Sequence, residues 1–248
     1  MAERISGSFR DPSGFMFVQN GTLYRQVNQK YRDDYELLMR SGLYEQLSKT
    51  KTLVSHMEAE LSLAPLPEIA YKLIKPEPVA FISYPYEWSF SQLKDAAILT
   101  LAIAKRALEF GMSLKDASVY NIQFHKGRPV FIDTLSFEKY AEGSPWVAYK
   151  QFCQHFLAPL ALMAYTDPRL NLMLRNYIDG IPLDLTAKLL PGNAKLNFGI
   201  LTHIFVHSRS QAKYADKQVS QTSTAQRLSK QNLLALLDDL LNTVRKLK

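Results

Sequence analysis

Along the first 27 residues apolar and polar positions alternate with a period of two, as on a strand that buries one face. Turn residues interrupt the alternation at Asp11-Pro12-Ser13-Gly14 and at Asn20-Gly21. Asn-Gly between apolar runs is the strongest short hairpin signal, so strands are expected at 4–10, 15–19 and 22–27. The spacing then turns helical over YRDDYELLMR, breaks at Gly42 and resumes over LYEQLSKTK. After the loop APLPEIA, Tyr71–Lys75 and Val79–Tyr84 read as further strands, punctuated by Pro76, Pro78 and Pro85.

From Ser91 to Phe110 the apolar residues Leu93, Ala97, Leu101, Ala104 and Leu108 recur every three or four positions, the stripe of a core-facing helix. Gly111 stands where a left-handed residue ends such a helix. The next segment, LKDASVYNIQFHKGRPVFIDT (114–134), reads as loop, strand, tight turn and strand. Helices are expected over Trp146–Tyr165 with a break near Pro159, over 168–178 behind Asp167 and Pro168, over 183–190, and over 229–247. Residues 208–225 are a polar linker.

A β-rich first third followed by a helical remainder split by one hairpin predicts an α+β, two-lobed architecture. The boundaries expected are 1–88 for a β-rich lobe, 89–206 for a helical lobe carrying the hairpin, and 207–248 for a basic linker with an amphipathic helix.

Composition narrows the class. The 248 residues are 47% hydrophobic and 21% charged, ordinary values for a globular chain with a sizeable core. The single cysteine, Cys153, excludes an internal disulfide, and the N-terminus lacks a signal-peptide core, so a cytoplasmic setting is expected. No window reaches the ~18 apolar residues of a membrane span. Of the net charge of +7, eight basic and three acidic residues from Arg209 onward supply +5. Aromatics do not alternate with those cations, so a nucleic-acid groove is not expected.

The ten glycines never occur as Gly-x-Gly, and Gly-Lys-Ser/Thr is absent, which removes dinucleotide, methyl-donor and P-loop fingerprints. No methyltransferase site is therefore expected within these residues. The hairpin segment holds Asp116, Asn121 five residues later, and Asp133 twelve residues beyond that. A strand, tight turn and strand of that length brings Asp133 back beside Asn121. Phosphoryl transfer needs such a set: a carboxylate near the attacking hydroxyl, and oxygen ligands for a phosphate-bridging Mg²⁺. The same residues also suit ordinary turn roles, capping loop N–H groups and ending a strand.

LKDASVYN resembles the H-R-D-x-x-x-x-N catalytic loop, and VFIDT resembles the D-F-G position in an I-D-x form. On these motifs residues 1–206 resemble the protein-kinase-like superfamily, especially its aminoglycoside- and small-molecule-kinase branch. The resemblance implies an ATP- and Mg²⁺-dependent phosphotransferase acting on a hydroxyl of an unidentified acceptor. It implies Asp116 as the catalytic residue, Asn121 and Asp133 as metal ligands, and Arg25 on phosphate with Glu36 or Glu45 as its carboxylate partner. FRDPSG would cover the phosphates, and SYPYEW would be the hinge, with Ser83, Tyr84 and Tyr86 meeting adenine. Leu114-Lys115 replaces His-Arg, the phosphate loop has one glycine, Gly14, and Arg25 stands where a lysine is usual. Those departures equally fit a pseudokinase, a nucleotide-binding or scaffolding domain without turnover.

GSFRDPSGF, LYRQVN, FISYPYEW, SLKDASVYNIQF and FIDTLSFE further resemble the N-terminal half of bacterial nodulation-related and class I SAM-dependent methyltransferase proteins. That resemblance implies a methyltransferase domain following Lys248 as a partner.

Overall fold

The computed structural model describes residues 3–5, 11–206 and 229–248. The end of the first expected strand, from residue 6 to residue 10, and the linker 208–225 lie outside the described residues.

Strands β1 (Glu3–Arg4), β2 (Gly14–Gln19) and β3 (Thr22–Asn28) open the chain. The β2–β3 connection is the Asn20-Gly21 turn, with φ of 51° and 72°, the left-handed pair whose twist matches that of the flanking strands. Helices α1 (Arg32–Arg40) and α2 (Leu43–Lys49) follow, separated by Gly42 at φ 85°. Strands β4 (His56–Ala59) and β5 (Ala70–Pro76) complete an antiparallel sheet of order β1-β2-β3-β5-β4. The short β4 has exposed residues at its centre, so its sequence carries no apolar alternation to reveal it.

Leu73 and Ile74, adjacent on β5, face opposite sides of the sheet. Leu73 packs with Phe15 and Phe17, whereas Ile74 packs with Val27, Tyr31, Tyr35 and Leu135. The strand expected over Val79–Tyr84 does not form. Pro78 and Pro85 offer no ladder N–H, and a short 3₁₀ turn, Pro85–Glu87, takes their place.

Helix α3 (Phe90–Glu109) starts at Ser89, whose hydroxyl accepts from Gln92 N–H while Gln92 Oε1 accepts from Ser89 N–H. Gly111, at φ 73°, turns the chain into β6 (Met112–Leu114). A hairpin of β7 (Ile122–His125) and β8 (Arg128–Phe131) follows, then β9 (Phe137–Lys139), which pairs with β6.

The expected helix over Trp146–Tyr165 is α4 (Tyr149–Phe152), a π turn (Cys153–Leu157) and α5 (Ala158–Tyr165). Pro159 sits in the first turn of α5, just beyond the π turn, where a missing N–H is tolerated. The helix expected over 168–178 is a 3₁₀ segment, Pro168–Arg175. Helices α6 (Leu183–Leu189), α7 (Phe198–Ile200) and α8 (Lys230–Lys246) complete the fold.

One continuous core runs through the helical half and takes in Leu38, Leu43, Leu47 and Leu53 from the sheet half. The C-terminal helix belongs to that core. Its Leu233, Leu237, Leu240 and Val244 are buried, and Lys94 Nζ donates to the carbonyls of Arg245 and Leu247 at 2.8 and 2.7 Å, closing its C-terminus. The fold is α+β. Among the described residues no helix is long and apolar enough to cross a membrane.

Candidate functional site

β6 delivers the chain to Lys115, whose N–H donates to Ser136 C=O at 2.8 Å. This bond fixes the loop carrying Asp116 against the segment that follows Asp133. Asp116 Oδ1 accepts from Ser118 N–H at 2.9 Å and from Gln151 Nε2 at 2.8 Å, while Gln151 Oε1 accepts from Ala117 N–H at 2.7 Å. A side chain of α4 therefore clamps the loop at two points. Behind it, buried His155 accepts from Val119 N–H at 3.4 Å, and burial lowers its pKa to about 4, keeping the ring neutral.

The β7–β8 hairpin returns as its spacing requires. Ile132 N–H donates to Asn121 C=O at 2.8 Å, so Asp133 emerges next to Asn121. Asp133 Oδ1 accepts from Leu135 N–H and Oδ2 from Ser136 Oγ, both at 2.9 Å. Ser136 Oγ in turn accepts from Asn121 Nδ2 at 3.2 Å. Asn121 and Asp133 are thus joined through one hydroxyl. Asp116 has its own anchors on the other side of the loop.

Facing the pair from the sheet, Arg25 of β3 donates from Nη1 to Asp133 Oδ1 and from Nη2 to Asp11 Oδ2, the latter at 3.2 Å. The Arg25 and Asp133 side chains are 11% and 16% exposed, so this ion pair is little screened by solvent. Arg25 Nε is buried without a partner among the described residues. Lys115 Nζ lies over the Tyr31 ring at 4.6 Å and donates to Ser13 Oγ at 3.4 Å, a second tie between the loop and the sheet. Burial, reinforced by Asp34 and Asp133, raises the Tyr31 phenol well above its ordinary pKa, and its hydroxyl donates to Phe137 C=O at 2.6 Å.

The partner expected for Arg25 is corrected. Glu45 is exposed on α2 and pairs with Lys49 at 2.5 Å, while Glu36 pairs with Arg32 at 3.1 Å and accepts from the Tyr71 hydroxyl at 2.7 Å. Both lie one helical turn from a cation of their own helix, and that local pairing takes them away from Arg25. Asp133 and Asp11 hold Arg25 instead.

At the expected hinge the backbone is already engaged. Ser83 N–H donates to Gln123 Oε1 at 3.0 Å, and Gln123 Nε2 donates to Ser83 C=O at 3.1 Å. Tyr84 N–H donates to Glu87 at 2.7 Å, and Asn171 Nδ2 donates to Tyr86 C=O at 3.1 Å. The Tyr84 and Tyr86 rings stack at 5.4 Å with 2° between their planes.

Sequence reasoning passed over Asp11, Ser136, Gln123 and Gln151. Asp11 lay inside the loop expected to cover phosphates, but Ser136, Gln123 and Gln151 gave no local signal. Ser136 reaches Asn121 across 15 residues as well as nearby Asp133, and Gln123 and Gln151 reach Ser83 and Asp116 across 40 and 35.

Mg²⁺ takes one or two protein oxygens and fills its shell with phosphate oxygens and water. A carboxylate and a carboxamide are donors of that kind, and here both Asp133 oxygens accept hydrogen bonds, from Arg25, Leu135 N–H and Ser136 Oγ. Among the described residues no cluster of three or more His, Cys, Asp or Glu side chains could hold a metal alone.

No known family profile matches the sequence. The chain is similar to a rhizobial nodulation protein. It is 34% identical over 252 residues to nodulation protein NoeA of Rhizobium meliloti strain 1021, covering 99% of this chain and 52% of that protein. This chain thus spans about half the length of the curated relative it matches. The nodulation-related resemblance read from GSFRDPSGF and FIDTLSFE agrees with that match. Among solved structures, vaccinia related kinase 3 aligns over 99% of this chain and 81% of its own, at 12% identity and a TM-score of 0.44. A likeness of that size carries no argument about chemistry.

Proposed function

We propose that this chain is a kinase-like, ATP- and Mg²⁺-dependent phosphotransferase domain acting on a hydroxyl of an acceptor. The observation that carries this reading is the network of Asn121, Asp133 and Arg25: a carboxamide and a carboxylate flanking one hairpin share the Ser136 hydroxyl, and the carboxylate pairs with a guanidinium from the opposing sheet. In this reading Asp133 and Asn121 would hold the metal together with nucleotide phosphates. Bound Mg²⁺ would neutralise charge developing on the transferred phosphoryl group. Asp116 accepts the proton of the acceptor hydroxyl as its oxygen forms a bond to the γ-phosphorus. The β–γ bridging bond breaks, and ADP leaves with that electron pair. Arg25 moves from Asp133 to the phosphates, where its planar fork suits bidentate contact.

A second reading is supported by two specific observations, the Arg25–Asp133 ion pair and the engaged N–H groups of Ser83 and Tyr84. It is a pseudokinase that binds nucleotide or scaffolds a SAM-dependent methyltransferase without phosphoryl transfer.

Calorimetry with Mg-ATP tests both. Binding that requires Mg²⁺ and is weakened at least tenfold in Asp133→Asn supports a nucleotide site there, whereas no binding at millimolar nucleotide sinks both readings. ATP turnover in the presence of sugar and small-alcohol acceptors, abolished in Asp116→Ala, supports transfer. Binding with no turnover difference between wild type and Asp116→Ala selects the pseudokinase.

A further inference from the structure

One cleft is lined by none of Asp116, Asn121 and Asp133. It has a volume of about 670 Å³ and sits between the loop after α2 and the turn of the β7–β8 hairpin. Residues 52–54 pair alongside β8: Phe131 N–H donates to Thr52 C=O and Val54 N–H donates to Phe131 C=O, both at 2.8 Å. Residues on both segments, from Ser48 to Ser55 and from His125 to Val130, line the cleft together with Glu77, Pro78 and Val79. Arg128, at the start of β8, is five residues from Asp133, at most about 16 Å at ~3.3 Å per residue, while Val130, which also lines the cleft, is three residues away.

The backbone marks this cleft. Among the described residues three non-glycine residues have positive φ: Asn20, Lys51 and Lys126, at 51°, 57° and 50°. Asn20 is expected, because asparagine suits the first position of a type I′ turn. Lys126 occupies the equivalent position of the other two-residue turn, Lys126-Gly127, with no side chain suited to it. Both lysines line the cleft. A left-handed lysine is strained, and such outliers concentrate at ligand sites.

Charged side chains line the same cleft. Lys51, His125, Lys126 and Arg128 line the cleft with one carboxylate, Glu77, whose Oε2 accepts from Ser55 Oγ at 2.6 Å. Glu77 is held below the usual carboxylate range, first by that hydroxyl and further by His125, Lys126 and Lys51. The wall is apolar, with Val54, Pro78, Val79, Pro129 and Val130. Small-molecule sites have this volume and this mix of apolar wall and few convergent polar groups.

We propose that the cleft binds a small organic phosphomonoester, its phosphate held by Lys51, Lys126 and Arg128 and its apolar body on the Val54–Val130 wall. Cations on separate segments match a dianion with three acceptor oxygens, whereas a carboxylate would engage the arginine fork alone. This site is independent of the nucleotide site proposed above.

Phenyl phosphate, inorganic phosphate and benzyl alcohol, each titrated into the whole chain at low salt and followed by NMR, test the proposal. Phenyl phosphate should shift the amides of Lys51, Lys126 and Gly127 and bind about tenfold more tightly than inorganic phosphate, because its ring is buried. Lys126→Asn should weaken binding about tenfold, and Lys51→Asn likewise. Both variants should keep or raise Tm, since asparagine tolerates the left-handed backbone. Asp133→Asn should leave this binding unchanged. Shifts centred on Arg25 and Asp133, equal affinity for benzyl alcohol, or undiminished binding in the Lys51→Asn/Lys126→Asn double variant would overturn the proposal.

Discussion

Arg25 and Asp133 can be examined by a double-mutant cycle with Arg25→Met and Asp133→Asn. Both side chains are mostly buried, and Asp133 has two further donors, Leu135 N–H and Ser136 Oγ. Arg25→Met keeps the apolar stem but leaves the Asp133 and Asp11 carboxylates without their cation. Removing one member of a fully buried pair costs about 3–5 kcal/mol, and the two remaining donors on Asp133 bring the expectation nearer ~3 kcal/mol. Asp133→Asn keeps the shape and an acceptor oxygen but loses the charge, for about 1.5 kcal/mol. The double variant should then be less destabilised than the sum by ~1.5 kcal/mol, the value of a charge-assisted bond. Urea unfolding measures all four proteins. In a domain of this size, 1 kcal/mol moves Tm by roughly 2–4 °C, so Arg25→Met should melt about 6–12 °C lower. A coupling under ~0.5 kcal/mol would show that the ion pair does not hold the sheet to the hairpin. A stabilised Arg25→Met would show that Arg25 is held there against stability, as a phosphate ligand would be.

Two further outcomes are expected. Burial lowers the pKa of His155 to about 4 from its ordinary value near 6.5, so the unfolded chain binds the proton more readily than the folded one. Its contribution is present above about pH 6.5 and is lost as pH falls toward 4. Urea titrations across that window should give a shallower acid-side slope for His155→Gln, and an unchanged slope would refute the assignment. Leu237→Ala removes a side chain 1% exposed at the α3–α8 contact and should cost about 2–4 kcal/mol. A loss below ~1 kcal/mol would mean that α8 is not part of the core.

The Asp116–Asn121–Asp133 spacing was legible because a two-residue turn and strand alternation are local rules. Once the Lys126-Gly127 turn is fixed, register alone returns Asp133 to Asn121. The α3 stripe was legible for the same reason, since its period is written in Leu93 through Leu108. The Asn20-Gly21 turn likewise set the β2–β3 pairing from two residues. What surrounds these elements was not legible. Arg25 meets Asp133 across 108 residues of chain, and nothing near either residue names the other. Glu36 and Glu45 were plausible partners by composition, yet neighbours on their own helices claimed them. Val79–Tyr84 had a strand's residues but two flanking prolines and a side-chain partner, Gln123, that took its backbone bonds.

The sequence by itself therefore determined the β2–β3 turn, the α3 stripe and the spacing of the three polar residues around the β7–β8 hairpin, because period, turn chemistry and capping act over a few residues. Only the tertiary structure decided which cation faces Asp133, which groups hold Asp116, and that Lys51 and Lys126 share a cleft. Those choices depend on how separate elements pack, and burial makes each of them a matter of pairing or desolvation that no local pattern encodes.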